Sequence, residues 1–395
     1  ALRIAHEKCQ FISTTDRQYD SSFAKTGAKI GASLRVRKPN QYLRTQGTRV
    51  MDVQEQDEQT STVTVATQDH VDMRFNSAEL ALSLDELSKR YIEPAVSSLV
   101  SAIEGDYLAY ATKKTYNVVG TAGTAITDLT APGLARARLN QMLAPKDRNR
   151  AIQMDSVTMA GLVKGVAAYF NPSGAISEQY REGLVARTSM ADYYENERVW
   201  SLTNSSDVTV TTAAAAAVTD GGTNITLASV GAGDTTAGMT FTVAGVYACH
   251  PETKQSLGYL QPYVVITGGA TTQTVSPATI LTGPRQNVCS AASAQLATTA
   301  YNGTAVAVTF FGAINTSYAQ SLMYHKEAFQ FVTADLPLMD DAHKCVRRSQ
   351  DGLSLRVWQA SDIRNDELLM RIDILYGMAA LRPEWACRMI GAASA

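Results

Sequence analysis

The chain has 395 residues, 45% of them hydrophobic and 18% charged, with a formal net charge of −2. That length points to two or three units rather than one small domain. The weak negative charge excludes a strongly basic nucleic-acid grip, and no apolar run reaches the ~18 residues of a membrane span.

Residues 1–29 are polar and mixed, with a short helix predicted over Leu2 to Ile12, and read as an arm that docks elsewhere. The chain opens on Ala1 without Met, which predicts a processed or trimmed start, and no signal-peptide pattern opens it. From Ile30 to Phe75 the pattern turns to period two. Leu34 and Val36, then Val63 and Val65, then Val71, Met73 and Phe75 alternate with polar residues, which predicts strands with one apolar face. Between the first two lies KPNQYLRTQGTRVMDVQEQDEQ, with a turn signal at Gln46-Gly47. It has too few apolar residues for a core of its own, so a thin two-stranded projection here must lie on a partner. Its charges segregate. Arg35, Arg37, Lys38, Arg44 and Arg49 come first, then Asp52, Glu55, Asp57 and Glu58. These are the candidate assembly residues, a solvated loop being the alternative.

Asn76–Tyr116 organises the rest. Leu84, Leu87, Tyr91, Ala95, Leu99, Ile103, Tyr107 and Tyr110 recur at steps of three or four, which predicts a helix over Ser83–Thr115. It would be about 50 Å long at ~1.5 Å per residue. Ser83 and Glu86 have capping-box spacing, and Pro94 is expected to kink or restart the helix. Leu87, Tyr91, Leu99, Ile103 and Tyr107 are expected to form the buried face of this spine.

After the turn at Gly120–Gly123, too weak for a phosphate loop, a short helix is predicted from Pro132 to Leu143. Asp155 should cap another that runs to Phe170, and a last one covers Ile176 to Glu182. From Thr203 to Gly312 the charged residues thin to Asp207, Asp220, Asp234, Glu252, Lys254 and Arg285. Short β runs at 207–211, 224–228, 239–243, 263–267 and 305–310 read as a small inserted barrel or sandwich. Strands return after Ala328, at FQFV, SLRVWQA and LMRIDILY, the last placing Met370, Ile372 and Ile374 on one face. The class is α+β.

No catalytic set stands out. Metal-binding and nucleophile-elbow spacings are absent, and His343-Lys-Cys345 reads as ordinary structure. Five scattered cysteines read as free thiols in a reducing compartment. No catalytic residue, metal or cofactor is expected. An enzyme with a scattered catalytic set is the competing class.

At its C-terminal end, YGMAALRPEWACRMIG resembles the terminal strand and tail of the P22-type phage coat protein family, on Tyr376, Gly377, Arg382, Pro383, Glu384 and Gly391. VRKPNQY at Val36–Tyr42, LSKRYIEPA at Leu87–Ala95, FNPSGAISEQYREG at Phe170–Gly183 and MYHKEAFQFVTADLPL at Met323–Leu338 are similar too, in the right order. The insert matches only in composition and in the run GMTFTVAGV. The resemblance implies an HK97-like capsid fold. Its parts would be an N-terminal arm (1–29), an extended loop (30–75), a peripheral domain with the spine helix (76–124), an axial domain (125–201), an inserted β domain (202–312) and the remainder of both domains (313–395). It implies a major capsid protein of a short-tailed bacteriophage, assembling as pentamers and hexamers into an icosahedral shell around double-stranded DNA, without sequence-specific binding or a membrane. The implied partners are further copies of the chain, a portal protein, a scaffolding protein and a decoration protein, with assembly in the bacterial host cytoplasm. The alternative on the same fold is a cellular encapsulin-type compartment shell.

Overall fold

The computed structural model describes residues 9–20, 33–47, 51, 53–54, 58–76, 91–166, 191–205, 212–213, 220–227, 235–269, 272–294, 296, 306–339, 343–350 and 352–393. The Ser83 cap, Leu84, Leu87 and the 176–182 helix lie outside them. The chain divides into two units. The first takes Ala1–Arg37, Thr60–Leu108 and Phe329–Leu381; the second takes Lys38–Gln59, Ala109–Ala328 and Arg382–Ala395.

The first unit is built on a sheet whose strands run in the order Asp16–Asp20, Phe329–Ala334, Glu367–Ala380, Leu353–Asp362 and Lys344–Gln350, with Thr67–Asn76 also paired to Glu367–Ala380. Alternation in LMRIDILY fixes which face is buried: Met370, Ile372 and Ile374 are 3%, 0% and 3% exposed. Against this face lie α1 (Gln10–Thr14) and α2 (Glu93–Lys114). Residues 9–20 therefore dock on their own chain, rather than as an arm reaching elsewhere. Phe11 is fully buried, with ring centroids 4.7 Å from Tyr107 and 6.2 Å from Phe329. Its backbone N–H donates to Glu104 Oε1 at 2.5 Å. Leu99, Val100 and Ile103 share one apolar pocket with Ile12, Phe331, Leu355 and Ile374.

The helix α2 begins one residue before Pro94, which places the proline in its first turn, where a missing N–H is tolerated. A π-helical turn at Tyr91–Ile92 precedes it. That wider turn shifts the phase of the apolar stripe. Tyr91 is 42% exposed, contrary to the expected burial, and meets Phe75 edge-on at 5.3 Å. Leu99, Ile103 and Tyr107 are 4%, 3% and 0% exposed, and Val96 and Val100 widen the buried face.

In the second unit one sheet runs Val118–Val119, Ala386–Ala393, Ser317–His325, Arg150–Met154 and Asp192–Glu195, with Ser201–Thr203 also on Ser317–His325. Its helices are α3 (Thr130–Gln141) and α4 (Ser156–Val166). Asp155 caps α4 through Thr158 N–H at 3.1 Å. A second sheet runs Gly222–Thr226, Thr272–Thr279, Ser256–Thr267, Thr240–Cys249, Val306–Phe310 and Thr212–Ala213, with Val288–Cys289 added to Thr240–Cys249. Its core includes Ile225, Phe241, Val243, Tyr263, Val265, Val275 and Val308, and takes in Leu202 from the strand Ser201–Thr203 of the other sheet. The described pairs form one sheet with two edges. The fully buried Arg388 donates to the carbonyls of Thr115 at 2.8 Å and Gly238 at 2.7 Å.

Candidate functional site

The hairpin at 33–64 carries the candidate assembly residues. Its base is a ladder in which Ser33 faces Thr64 and Arg37 faces Thr60. This base does not wait for a partner. Val63 and Val65, 0% and 4% exposed, cluster with Val332, Ala334 and Ala379. Gly377 permits the approach: a Cβ there would stand 2.3 Å from the Thr64 carbonyl oxygen. The Tyr-Gly pair of the C-terminal stretch thus has a packing reason.

Beyond Arg37 the ladder ends after one more bond, Lys38 N–H to Gln59 O at 2.8 Å. The two legs are then held by a side chain. Leu43 N–H donates to Gln54 Oε1 at 2.8 Å, and Gln54 Nε2 donates to Leu43 O at 2.6 Å. That amide reproduces the pair of bonds a facing strand residue would make. Gly47 takes φ +147°, which accounts for the glycine in the Gln46-Gly47 turn signal.

Arg35, Arg37, Arg44 and Glu58 are exposed and Lys38 is half-buried. Arg44 reaches Gln46 Oε1 at 3.5 Å. Arg49, Asp52, Glu55 and Asp57 lie outside the described residues. Sequence reasoning weighed the charges of this loop and missed its apolar display. Met51 is 88%, Val53 76% and Tyr42 58% exposed. The available signal was a pair of apolar residues in a run too polar to bury them.

Within the second unit, Lys38, Pro39, Leu43 and Gln54 line a cleft of about 1050 Å³, together with Asp220 and Arg285 of the insert and Arg382, Glu384 and Trp385 of the C-terminal segment. Two of the stretches singled out in the sequence, VRKPNQY and RPEW, thus meet at one cleft. Arg382 lies over the Trp385 ring at 4.1 Å, and the indole N–H donates to Met142 O at 3.1 Å. Neither the thiol nor the phenol lining the cleft is activated: burial pushes the Cys249 thiol up to about 12 and, with Glu384 adding to it, pushes the Tyr116 phenol well above its ordinary range. Among the described residues no group of His, Cys, Asp and Glu could hold a metal ion. His343 is exposed and Cys345 half-buried on an outer strand.

The first unit holds a buried ion pair that sequence reasoning also missed. Arg356 Nε donates to Asp373 Oδ1 at 3.0 Å, and its Nη1 donates to Pro337 O at 2.6 Å. Next to it Arg347 Nε lies 3.2 Å from Asp335 Oδ2, and Ser354 Oγ donates to Asp335 Oδ1 at 2.5 Å. These bonds fix the loop after Ala334.

A protein-family model described as P22 coat protein, gene protein 5, matches residues 52–391. No curated protein sequence matches the chain. Among solved structures the chain is similar to one from Mycobacterium phage Che8, at 8% identity and TM-score 0.48, covering 94% of this chain and 88% of that one. It is similar to the capsid of cyanophage P-SCSP1u, at 11% identity and TM-score 0.47, covering 96% and 87%. It is also similar to the capsid of Ralstonia phage GP4, at 9% identity and TM-score 0.47, covering 98% and 92%.

Proposed function

The chain belongs to the P22 coat protein family, and from that premise we propose how it works as the major capsid protein of a tailed bacteriophage. Membership makes it a structural protein of the virion that assembles with copies of itself. The fold is read as HK97-like, with the domain bounds that the sequence implies. Pentamers and hexamers tile an icosahedral shell around double-stranded DNA. A portal protein and a scaffolding protein are the further partners, a decoration protein a third, and assembly takes place in the host cytoplasm. The encapsulin-type alternative is not favoured, because the family matched is a phage coat family.

The observation that carries the mechanism is the division of labour in the 33–64 hairpin. Its base is satisfied inside its own chain, through Val63, Val65 and Gly377. Its tip exposes Met51 and Val53 beside a charge-segregated polar run. An apolar pair held in water is unfavourable by about 25 cal/mol per Å², and burial on a neighbour recovers this. The weak negative charge leaves packaged DNA without a strong hold. The test is sedimentation and negative-stain microscopy of the purified full chain. Capsomers or closed shells are expected. A strictly monomeric protein across concentration, salt and added scaffolding protein overturns the reading.

A further inference from the structure

Two of the five free thiols stand side by side in the second sheet of the second unit. Val288–Cys289 runs antiparallel to the end of Thr240–Cys249. Tyr247 faces Cys289, Ala248 faces Val288, and Cys249 N–H donates to Asn287 O at 2.9 Å. Side chains alternate along a strand, so Cys249, two residues from Tyr247, shares a face with Cys289 and lies one step diagonal to it. The two thiols are within hydrogen-bonding reach of each other. They are 2% and 0% exposed. The other three cysteines lie on separate elements: Cys9 before α1, Cys345 on Lys344–Gln350 and Cys387 on Ala386–Ala393.

Diagonal neighbours in an antiparallel ladder have Cα atoms about 7–8 Å apart, roughly an ångström beyond the span a disulfide prefers. Each of these cysteines is the last residue of its strand. The pairing of Thr240–Cys249 with Ser256–Thr267 also shifts register between Tyr247 and Cys249. Strand ends at an irregular step can close a gap of that size while the ladder behind them stays paired. A reagent has one way in, because Cys249 lines the cleft described above. Burial raises both thiols above their ordinary range, which keeps the thiolate fraction small and the exchange slow.

We propose that Cys249 and Cys289 form a disulfide site, closed by thiol–disulfide exchange when the folded protein passes from reducing to oxidising surroundings. This rests on the capsid reading above in one respect: a virion released from its host makes that passage. The oxidant is a small-molecule disulfide. One protein thiolate attacks a sulfur of that disulfide and expels its first thiolate. The second protein thiolate attacks the mixed disulfide so formed and expels the other. Two S–H bonds are lost from the protein and one S–S bond forms; the two protons and two electrons leave on the oxidant as two small thiols. The bridge closes a loop of about 40 residues and ties a two-residue strand to its sheet.

The test uses the purified full chain, reduced and then incubated in the folded state with oxidised glutathione. It is next denatured, alkylated and analysed by mass spectrometry. Five thiols less the two bridged leave three alkylated cysteines, with one peptide pair joined between Cys249 and Cys289 and no glutathione adduct. The oxidised protein should melt ~5 °C above the reduced one, and dithiothreitol should reverse the shift. Cys289→Ser should abolish both the link and the shift. Five alkylated cysteines after oxidation overturn the site. So does a link between any other cysteines, or a glutathione adduct that persists on Cys249. These outcomes are read on the unaltered chain, so they decide the matter even if the variant does not fold. Neither do they require shells. A chain that never assembles removes the capsid reading while the bridge is still measured, and a chain that assembles but keeps five thiols removes the bridge alone.

Discussion

The helix α2 and the loop Lys38–Gln59 are both long, apolar-bearing segments, and they treat their apolar residues in opposite ways. The helix hides Val96, Leu99, Val100, Ile103 and Tyr107 against its own sheet and α1. The loop leaves Met51 and Val53 in solvent and ties its two legs through one glutamine side chain, which bonds both backbone groups of Leu43. The first arrangement lowers the free energy of a single chain. On the function proposed above, the second does so only when another chain arrives. In a subunit built to associate, residues that decide folding and residues that decide assembly can thus be separated by mutation, and the two classes should respond to different assays.

The largest effect on folding alone is expected at Arg356. Arg356→Met takes its hydrogen bonds from the fully buried Asp373 carboxylate, which keeps Arg371 at 3.3 Å and Gln68 at 3.2 Å, and frees the Pro337 carbonyl. Breaking a buried pair from one side typically costs about 3–5 kcal/mol, and the two remaining partners hold the loss to the lower end of that range. Chemical denaturation should show that loss, and a variant within 1 kcal/mol of wild type (a bound set roughly by the exposed-pair range) would show the pair to be dispensable. Next comes Ile103→Ala, where lost transfer energy and a cavity add to ~2–5 kcal/mol. Ser98, exposed on the same helix, supplies the control, since surface changes usually stay within about 0.5 kcal/mol. Equal melting of Ile103→Ala and wild type would remove α2 from the core.

Much of the helix was legible in the sequence. Leu99, Ile103 and Tyr107 stand on a stripe of three- and four-residue steps, and that stripe is the buried face. Tyr91 was misplaced because the π-helical turn before Pro94 breaks the 3.6-residue phase that the stripe assumes. Val96 and Val100 were passed over because a helix covered by both a sheet and a second helix buries a wider arc than one stripe. In the insert, Ser256–Pro262 and Thr272–Thr279 were not read as strand, since Gly258, Pro262 and Pro277 are ordinary strand breakers. The structure absorbs such residues at register shifts, as between Tyr247 and Cys249 on the partner strand. Arg356 was not singled out within the alternating run SLRVWQA. The polar face of that strand is buried around Asp373, and alternation cannot tell a wet face from a dry polar one. The loop's charges were visible as a pattern, but a pattern of charges does not name the surface it fits.

Smaller effects sharpen the same contrast. Arg35→Glu with Arg37→Glu changes exposed side chains, for which ion pairs contribute about 0–1 kcal/mol each. The melt should hardly move, while shell yield falls because every copy repeats the defect. Normal shells from this variant would release the basic leg from assembly. The smallest expected effect is a pH dependence at Asp147. Burial works to raise its pKa, but hydrogen bonds from the backbone and side chain of Asn149, and then His325, outweigh it and hold the carboxylate below its ordinary value. A lowered folded-state pKa means that the native state binds fewer protons. Its stabilisation is present above the ordinary value near 3.8 and lost as pH falls through the folded value. Because the side chain is 40% exposed and solvent screens it, the change should be slight. Asp147→Asn should remove it from urea-unfolding curves taken between about pH 5 and pH 2, and an unaltered acid slope would assign that slope to other carboxylates.

The separation of folding from assembly is tested most directly by Met51→Ser with Val53→Ser, followed in one preparation by thermal melting and by analytical sedimentation with electron microscopy. The structure predicts a melting temperature equal to wild type and a loss of closed shells, with soluble folded subunits accumulating. A normal yield of shells, or a fall in melting temperature as large as that of Ile103→Ala, would contradict it.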